Sequence, residues 1–536
     1  MQKLFLLGDE AVAQGAIDGG LSAIYAYPGT PSTEITEYVQ RNPQARELGI
    51  KARWTANEKT AMETALGISY AGKRAMVAMK HVGLNVAADA FVNSAITGVN
   101  GGLTVVAADD PSMHSSQNEQ DSRYYGKFAM VPILEPSNQQ EAYLMAYHSF
   151  ELSEKFGLPV LLRLVTRLAH SRSGVERLPR KNQNPLRLPS DPRQYVLLPV
   201  IAKKRYKLLL STQDHLIEDS ENSPYNEFFD AEDKSLGIIA SGIAYNYLME
   251  NFPNGCPYPV LKIGQYPLPK SKIEKLYNSV EKILVIEEGY PFIEEQLRGV
   301  LDDKKIKGKL DGTLPRYGEL NPNIIARVFG FPLGEIPDVS PVVKSRPPQL
   351  CPGCGHIDMY IALNDAMKEY GTGRVFSDIG CYTLGALPPY NAINSCVDMG
   401  ASITMAKGAA DAGLIPSVAV IGDSTFTHSG MTGLLDAVID NSPITVIIAD
   451  NSVTAMTGGQ ESHAEDRLVQ IVKGLGVHPD HVHTIVPIPK NRKLMTEIIK
   501  RELEYNGVSV IIPQRVCVQM AGKILKRKKA KLQQKN

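Results

Sequence analysis

Gly422-Asp423-Ser424, with Asn451 of the pair Asp450-Asn451 following 28 positions after Asp423, is the arrangement in this 536-residue chain whose residue types point most directly to chemistry. A carboxylate and an amide oxygen are hard donors, suited to a Mg²⁺ ion that keeps its other positions for a substrate phosphate. Val453 offers a backbone carbonyl as a third protein ligand. Ser424 and Thr425 would open a helix whose free N–H groups and dipole favour phosphate, and Gly422 would let the backbone approach it closely. Gly-Asp-Ser alone is an ordinary turn after a strand. The Asp-Asn pair at this distance turns it into a cation and diphosphate site.

Such a site needs two parallel strands that end side by side. The apolar runs Val418–Ile421 and Ile444–Ile448 supply them, and the chain around them reads as α/β, with several doubly wound parallel-sheet domains. Residues 1–180 form a first block with strands expected at Ala23–Tyr27, Ala75–Met79, Thr104–Ala108 and Val160–Val165. Residues 181–234 are expected to be a connecting arm, because the stretch from His170 to Gln194 turns Pro-, Arg- and Ser-rich. A smaller α/β block covers 235–335, with strands at Leu236–Ile243 and Ile283–Ile286, and 336–350 is a Pro-rich linker. The third block, 351–520, carries strands at Val375-Phe376, Val418–Ile421, Ile444–Ile448 and Val508–Ile512, before a basic tail at 521–536.

Lysine plus arginine equals aspartate plus glutamate at 57 each, so no global field recruits nucleic acid or membrane. No apolar run approaches the roughly 18–20 residues of a membrane span. The N-terminal apolar core is too short for a signal peptide, and a cytoplasmic protein is expected. Six cysteines are too few for a disulfide scaffold, so their clustering points to metal or redox work.

The Asp423…Asn451 spacing resembles the thiamine diphosphate motif, and that cofactor needs a second half-site. A carboxyl group must hold N1′ of the aminopyrimidine, from a helix that starts after a strand in another domain. Glu58, in Trp54-Thr55-Ala56-Asn57-Glu58, fits, at the head of the small-residue helix Ala61–Ala71. An acid in a first helical turn is also simply stabilised by the helix dipole. Tyr27-Pro28-Gly29-Thr30-Pro31-Ser32 reads as a strand-to-helix turn whose Thr30 and Ser32 hydroxyls could take a 2-oxoacid carboxylate. It reads equally as a helix cap with Pro31 at the first helical position.

Cys351-Pro352-Gly353-Cys354 follows the Pro-rich linker rather than a strand, which disfavours a thioredoxin-type dithiol. With Cys381 it makes three potential ligands, and a fourth must come from Cys517 or Cys396. Four thiolates hold either zinc or a [4Fe–4S] cluster. Cys256 reads as inert core.

The segments YPGTPSTEI, NEKTAMETA, KHVGLN, EQDSR, CPGCGH, DIGCYTLGALPP, GDSTFTHSG and DNSVTAMTGGQ, in this order, resemble the large subunit of the indolepyruvate ferredoxin oxidoreductases, members of the 2-oxoacid:ferredoxin oxidoreductase family. The resemblance implies two thiamine-diphosphate-binding-fold domains, pyrimidine-binding at 1–180 and diphosphate-binding at 351–520, with a transketolase C-terminal-like domain at 235–335 between them. It implies Glu58 as the N1′ activator, Thr30 as a substrate-carboxylate contact and Arg123 as a carboxylate or coenzyme A contact. Asp423, Asn451 and Val453 would hold Mg²⁺, and Cys351, Cys354, Cys381 and Cys517 one [4Fe–4S] cluster. Gly422, Ser424, Thr425, Gly380, Tyr382, Thr383, Gly400, Ser402, Thr454 and Met456 would surround the cofactor.

The implied reaction is oxidative decarboxylation of an arylpyruvate, with coenzyme A taking the acyl group and electrons leaving through the cluster to ferredoxin. The implied partners are dimerised large subunits plus a small beta subunit. Many members continue into a ferredoxin-like domain with further cysteine motifs, whereas no cysteine follows Cys517 here. A separate ferredoxin or another subunit is then expected to carry the relay, and Lys523–Lys531, with six basic residues in nine, could steer an acidic ferredoxin. Two other readings compete: a non-oxidative decarboxylase or carboligase, and a silent subunit with structural zinc.

Overall fold

Continuous apolar runs become strands covered on both faces, the condition under which parallel sheets occur. The computed structural model of the protein describes residues 3–189, 191–301, 303–333, 340, 342–344 and 348–522. The chain divides into two compact units, residues 1–337 and 338–536.

The first unit carries a seven-stranded sheet in the order Gln265–Tyr266, Ile133–Leu134, Val160–Val165, Leu103–Asp109, Ala75–Lys80, Ala23–Ala26 and Lys51–Trp54. All neighbours are parallel except the edge pair Gln265–Tyr266 with Ile133–Leu134. Side chains alternate between two cores. Met76, Ala78, Val106, Ala108 and Leu162 pack with helices Gly8–Asp18 and Gln139–Phe156. Val77, Met79, Val105, Ala107 and Leu161 pack with Glu58–Tyr70 and His81–Thr97 on the other face. A five-stranded sheet, in the order Ile306–Lys307, Ile283–Ile286, Gly237–Ser241, Val260–Ile263 and Glu227–Phe229, forms the rest of the unit. Its last strand is an antiparallel edge.

The connecting stretch is tightly fastened. Arg172–Glu176 pairs antiparallel with Lys3–Leu7. The Lys181 and Arg187 N–H groups donate to the carbonyls of Asp18 and Ala71 at 2.7 and 3.0 Å. Two helices the sequence reading did not assign, Pro199–Ser211 and Gln213–Glu221, follow, and their Leu209 and Leu216 enter the second core.

The second unit is a six-stranded, wholly parallel sheet in the order Ser395–Cys396, Val375–Ser377, Ser417–Gly422, Ile444–Ala449, Ser509–Pro513 and Val482–Ile485. Val418, Val420, Ile447 and Ile511 face Gly355–Met367 and Arg492–Leu503. Ala419, Ile421, Val446 and Ile448 face the side of Ala401–Asp411 and Met431–Ile439. From Val375–Ser377 the chain goes first to one neighbour and then to the other, which makes a topological switch point between the ends of Val375–Ser377 and Ser417–Gly422. Crevices at such points, beyond the carboxyl ends of strands, are where open α/β sheets bind ligands. The basic segment 523–531 and most of the Pro-rich linker lie outside the described residues. Among the described residues no helix is long and apolar enough to cross a membrane.

Candidate active site

Register decides what the second unit presents at its switch point. Gly422 pairs with Ala449, so Asp423 and Asp450-Asn451 emerge side by side at the carboxyl edge. Asp423 is buried, and its Oδ2 has no hydrogen-bond partner. Burial, then the charge of Asp450, pushes its carboxyl up to about 7. A buried carboxylate oxygen with an acid beside it and no donor is what a cation ligand looks like before the cation is counted, so the donor set fits Mg²⁺. Asn451 Oδ1 accepts from Val453 N–H at 3.0 Å, which folds the next residues back under the site through Ser452, in the left-handed region at φ 64°. Val453 and Thr454 then pair with Gln460–Glu461, and Thr454 Oγ1 donates to Ser424 Oγ at 3.0 Å. Asp423, Ser424, Thr425, Asn451, Val453 and Thr454 are thus brought together. Met456 is 61% exposed on the same excursion.

Several expected cofactor contacts serve as an inner brace instead. Tyr382 is buried, and its hydroxyl donates to Thr425 Oγ1 and Ile379 O, each at 3.1 Å. A Cβ on Gly422 would lie 2.5 Å from Tyr382 Cε1, and one on Gly380 would strike the same ring. The Cβ side of Gly422 is therefore taken by Tyr382. Thr383 Oγ1 donates to Asp378 O at 2.6 Å and accepts from Gly380 N–H. Asp378 Oδ1 accepts from Gly400 and Ser402 N–H at 3.0 Å, and Ser402 Oγ binds its other oxygen. Asp378 fastens the switch point to the start of Ala401–Asp411, and burial raises it to about 6 against those bonds.

The four thiols form one group. Cys351, Cys354, Cys381 and Cys517 line a cavity of about 190 Å³ together with Asn451, Asp450, His356 and Met359. Cys396 does not; its thiol lies 3.6 Å from Asp378 O. Burial, then the neighbouring thiols, pushes Cys381 up to about 12 and raises Cys354 as well, a strain that bound metal relieves by taking thiolates. The Cys517 N–H donates to Asn451 O at 3.1 Å, so the thiol cavity and the cation site share a wall. Burial pushes His356, whose Nδ1 is unpartnered, down to about 4, leaving a neutral imidazole beside the thiols.

In the first unit the carboxyl edge of the seven-stranded sheet gathers Thr30, Glu58 and Lys80. Glu58 is buried at the first position of Glu58–Tyr70, behind a cap in which Asn57 Oδ1 accepts from Thr60 N–H at 2.8 Å. A Cβ on Gly83 would lie 2.5 Å from Glu58 Oε1, so Gly83 makes room for this carboxyl. The helix after Thr30 starts at Thr33 rather than at Pro31, and Ser32 Oγ donates to Gly29 O at 2.8 Å. Gly29 rests on the Lys80 stem, 3.2 Å from a would-be Cβ, and Lys80, which feels the charges of Asp110 and Glu58, is the cation beside this turn. Lys80 was missed because a lysine ending a strand carries no signal of its own.

Arg123 is a correction. It is fully buried, bound to Asp121 at 2.5 Å and Glu287 at 2.9 Å, with further bonds to the carbonyls of Glu288 and Tyr290 and to Tyr266. Every guanidinium nitrogen is engaged, so none is left for a ligand. With Arg163 it outweighs the burial of Asp121 and holds that carboxyl at about 2.

With this geometry in hand, known proteins sharpen the reading. Residues 14–206 match the family model described as pyruvate flavodoxin/ferredoxin oxidoreductase, thiamine diP-bdg, and 378–512 the thiamine pyrophosphate enzyme, C-terminal TPP binding domain. Indolepyruvate oxidoreductase subunit IorA of Methanothermobacter thermautotrophicus is 39% identical over 97% of this chain and 88% of its own length. That of Pyrococcus abyssi is 40% identical over 96% and 86%. The chain belongs to the IorA family of indolepyruvate oxidoreductase subunits. It is an oxidoreductase subunit with thiamine-diphosphate-binding domains. A 2-oxoglutarate:ferredoxin oxidoreductase from Magnetococcus marinus, solved with 2-oxoglutarate, coenzyme A and succinyl-CoA, covers 61% of this chain and 65% of its own at 18% identity and TM-score 0.50, a likeness of fold.

Proposed function

We propose that this family member is the large subunit of an enzyme that oxidatively decarboxylates arylpyruvates of the indolepyruvate type. The 2-oxoacid and coenzyme A would give an acyl-CoA, CO₂ and a proton, with two electrons passing one at a time through a [4Fe–4S] cluster to two oxidised ferredoxins. The reading rests on one observation: four thiols and Asn451 line one cavity, and Asn451 follows the strand that pairs with the one before Asp423. Residues 1–180 and 351–520 would be the pyrimidine- and diphosphate-binding domains and 235–335 the transketolase C-terminal-like domain, working in the cytoplasm with a small beta subunit in a hetero-oligomer with dimerised large subunits.

When bound, thiamine diphosphate supplies a carbon nucleophile for the keto carbon and a sink for the electron pair left by CO₂. The chain's residues do the rest. Asp423, Asn451 and the Val453 carbonyl would hold Mg²⁺, and Ser424, Thr425 and Thr454 would order the phosphates. Glu58 would hold a proton at the aminopyrimidine. Thr30 and Lys80 would orient the 2-oxoacid carboxylate. Cys351, Cys354, Cys381 and Cys517 would hold the cluster. Four thiolates in one cavity hold either zinc or a cluster, and a cluster is proposed because it gives the electrons of the oxidative reaction a place to go.

The experiment is anaerobic preparation with the partner subunit, iron and sulfide analysis, and a panel of 2-oxoacids assayed for ferredoxin reduction with coenzyme A. Glu58→Gln should abolish turnover and keep metal–diphosphate binding. Protein without iron, or with turnover that reduces no acceptor, would sink the oxidative reading.

A further inference from the structure

Away from the sites above, three helix ends of the first unit converge on a group that the proposed reaction does not use. Asp9 is the second residue of Gly8–Asp18, Glu34 the second of Thr33–Arg41, and His170 the last of Thr166–His170. One carboxylate oxygen from each acid and one ring nitrogen of His170 all lie within 4.8 Å of one another. His170 Nε2 stands 3.6 Å from Glu34 Oε2, an ion pair longer than a close hydrogen bond. Asp9 is completely buried, and neither of its carboxylate oxygens has a donor; Glu34 Oε2 has none either. Burial, then the charge of Glu34, holds the Asp9 carboxyl well above its ordinary range, while His170 holds Glu34 below its own.

Two carboxylates that face each other need a proton or a cation between them. A proton on Asp9 and the His170–Glu34 ion pair would satisfy the group two residues at a time, whereas a cation engages all three donors at once. Donors held about 2.0–2.2 Å from one ion stand roughly 3–4.4 Å apart, a range that holds the 3.6 Å between His170 and Glu34 and falls just inside the 4.8 Å limit of the group. One imidazole nitrogen and two carboxylate oxygens suit a borderline ion such as zinc better than Mg²⁺ or Ca²⁺, which prefer all-oxygen shells. Asp9 closes the floor and His170 is exposed, which gives an entry path. The arrangement is also pre-built. Gly8 N–H donates to Ser171 O at 3.2 Å, Arg172 pairs with Glu10 at 2.9 Å, and the flanking strands Lys3–Leu7 and Arg172–Glu176 are zipped together.

We propose that Asp9, Glu34 and His170 form a binding site for a zinc-class divalent cation, completed by water. The ion would pin the starts of two helices to the end of a third, and Glu34 lies on the helix that follows the Thr30 turn.

The test is equilibrium dialysis of the holoenzyme, its thiols and its diphosphate site already filled, against micromolar zinc chloride, with metal counted by mass spectrometry. One additional zinc per chain is expected in the wild type, and binding weakened roughly a hundredfold in Asp9→Asn and in His170→Gln. Zinc should also raise the thermal midpoint of the wild type and leave both variants unmoved. His170→Gln changes an exposed side chain, so it reports even if Asp9→Asn folds poorly. Equal uptake by all three proteins, or none by the wild type, would overturn the site. So would a zinc-free wild type made more stable by Asp9→Asn, because the acids would then be sharing a proton.

Discussion

Gly83→Ala separates the proposed role of Glu58 from the stability of the helix that carries it. The added Cβ would sit 2.5 Å from Glu58 Oε1, 2.8 Å from Cγ and 2.9 Å from Cδ, where ordinary contact begins at 3.4 Å. The carboxyl oxygen must therefore retreat by about 0.9 Å, and a misplacement of that size can cost about a hundredfold in rate, or about 2.7 kcal/mol. Folding should scarcely notice. Alanine gains up to about 1 kcal/mol over glycine inside a helix, and an off-rotamer glutamate costs about 0.5–1.5 kcal/mol, so the two nearly cancel. The assay pairs kcat for acceptor reduction with urea unfolding and titration of thiamine diphosphate. Expected are a kcat down about a hundredfold, an unmoved unfolding midpoint and retained cofactor binding. Gly67→Ala, on the helix of Glu58 with nothing within 4 Å of its Cβ, is the control that should keep full activity. If Gly83→Ala kept its kcat within a factor of about three, Glu58 would not need its observed place, and the reasoning would fail.

Three further outcomes follow from the second unit and the buried network. Cys517→Ser should remove iron and acid-labile sulfide, whereas Cys396→Ser should keep both, since only Cys517 lines the thiol cavity. Asp423, raised from 3.8 to about 7, binds its proton more tightly folded than unfolded, so the cation-free protein should lose stability as pH rises from about 4 to 7. Thermal melts should show Mg²⁺ with thiamine diphosphate offsetting that loss most at neutral pH, and Asp423→Asn should flatten both trends. Arg123→Met should destabilise by about 3–5 kcal/mol in urea, because Asp121 and Glu287 keep buried charges without a partner. An Arg123→Met enzyme with a changed coenzyme A KM and unchanged stability would restore Arg123 as a ligand contact.

What was legible in the sequence was whatever depends on unbroken apolar runs. Ile283–Ile286 appears with the expected bounds, and so does Val160–Val165, where the one polar residue, Arg163, is buried against Asp109 and Glu135. Pro199–Ser211 escaped because its three lysines and Arg205 interrupt a weak stripe of which Leu209 alone is buried. Gly422 was read for its freedom, when the decisive neighbour was a tyrosine forty positions away. Arg123 stands in a motif whose residues look exposed, and its burial depends on the Glu287 carboxylate and the Glu288 carbonyl, which follow a strand of the other sheet. Asp9, Glu34 and His170 have no spacing to read, since the packing of Gly8–Asp18 on Thr33–Arg41 and Thr166–His170 brings them together.

The hydrogen bond from Cys517 N–H to Asn451 O has a consequence for how such a protein matures. Three of the four thiols precede Ser509–Pro513 in the chain, and the fourth follows that strand, which pairs with Ile444–Ala449. The same strand pairing thus completes the set of four thiols and sets the backbone bond that braces the loop carrying Asn451. If the thiols hold a cluster as proposed, a chain cut short before Cys517 would lose the cluster and the brace together.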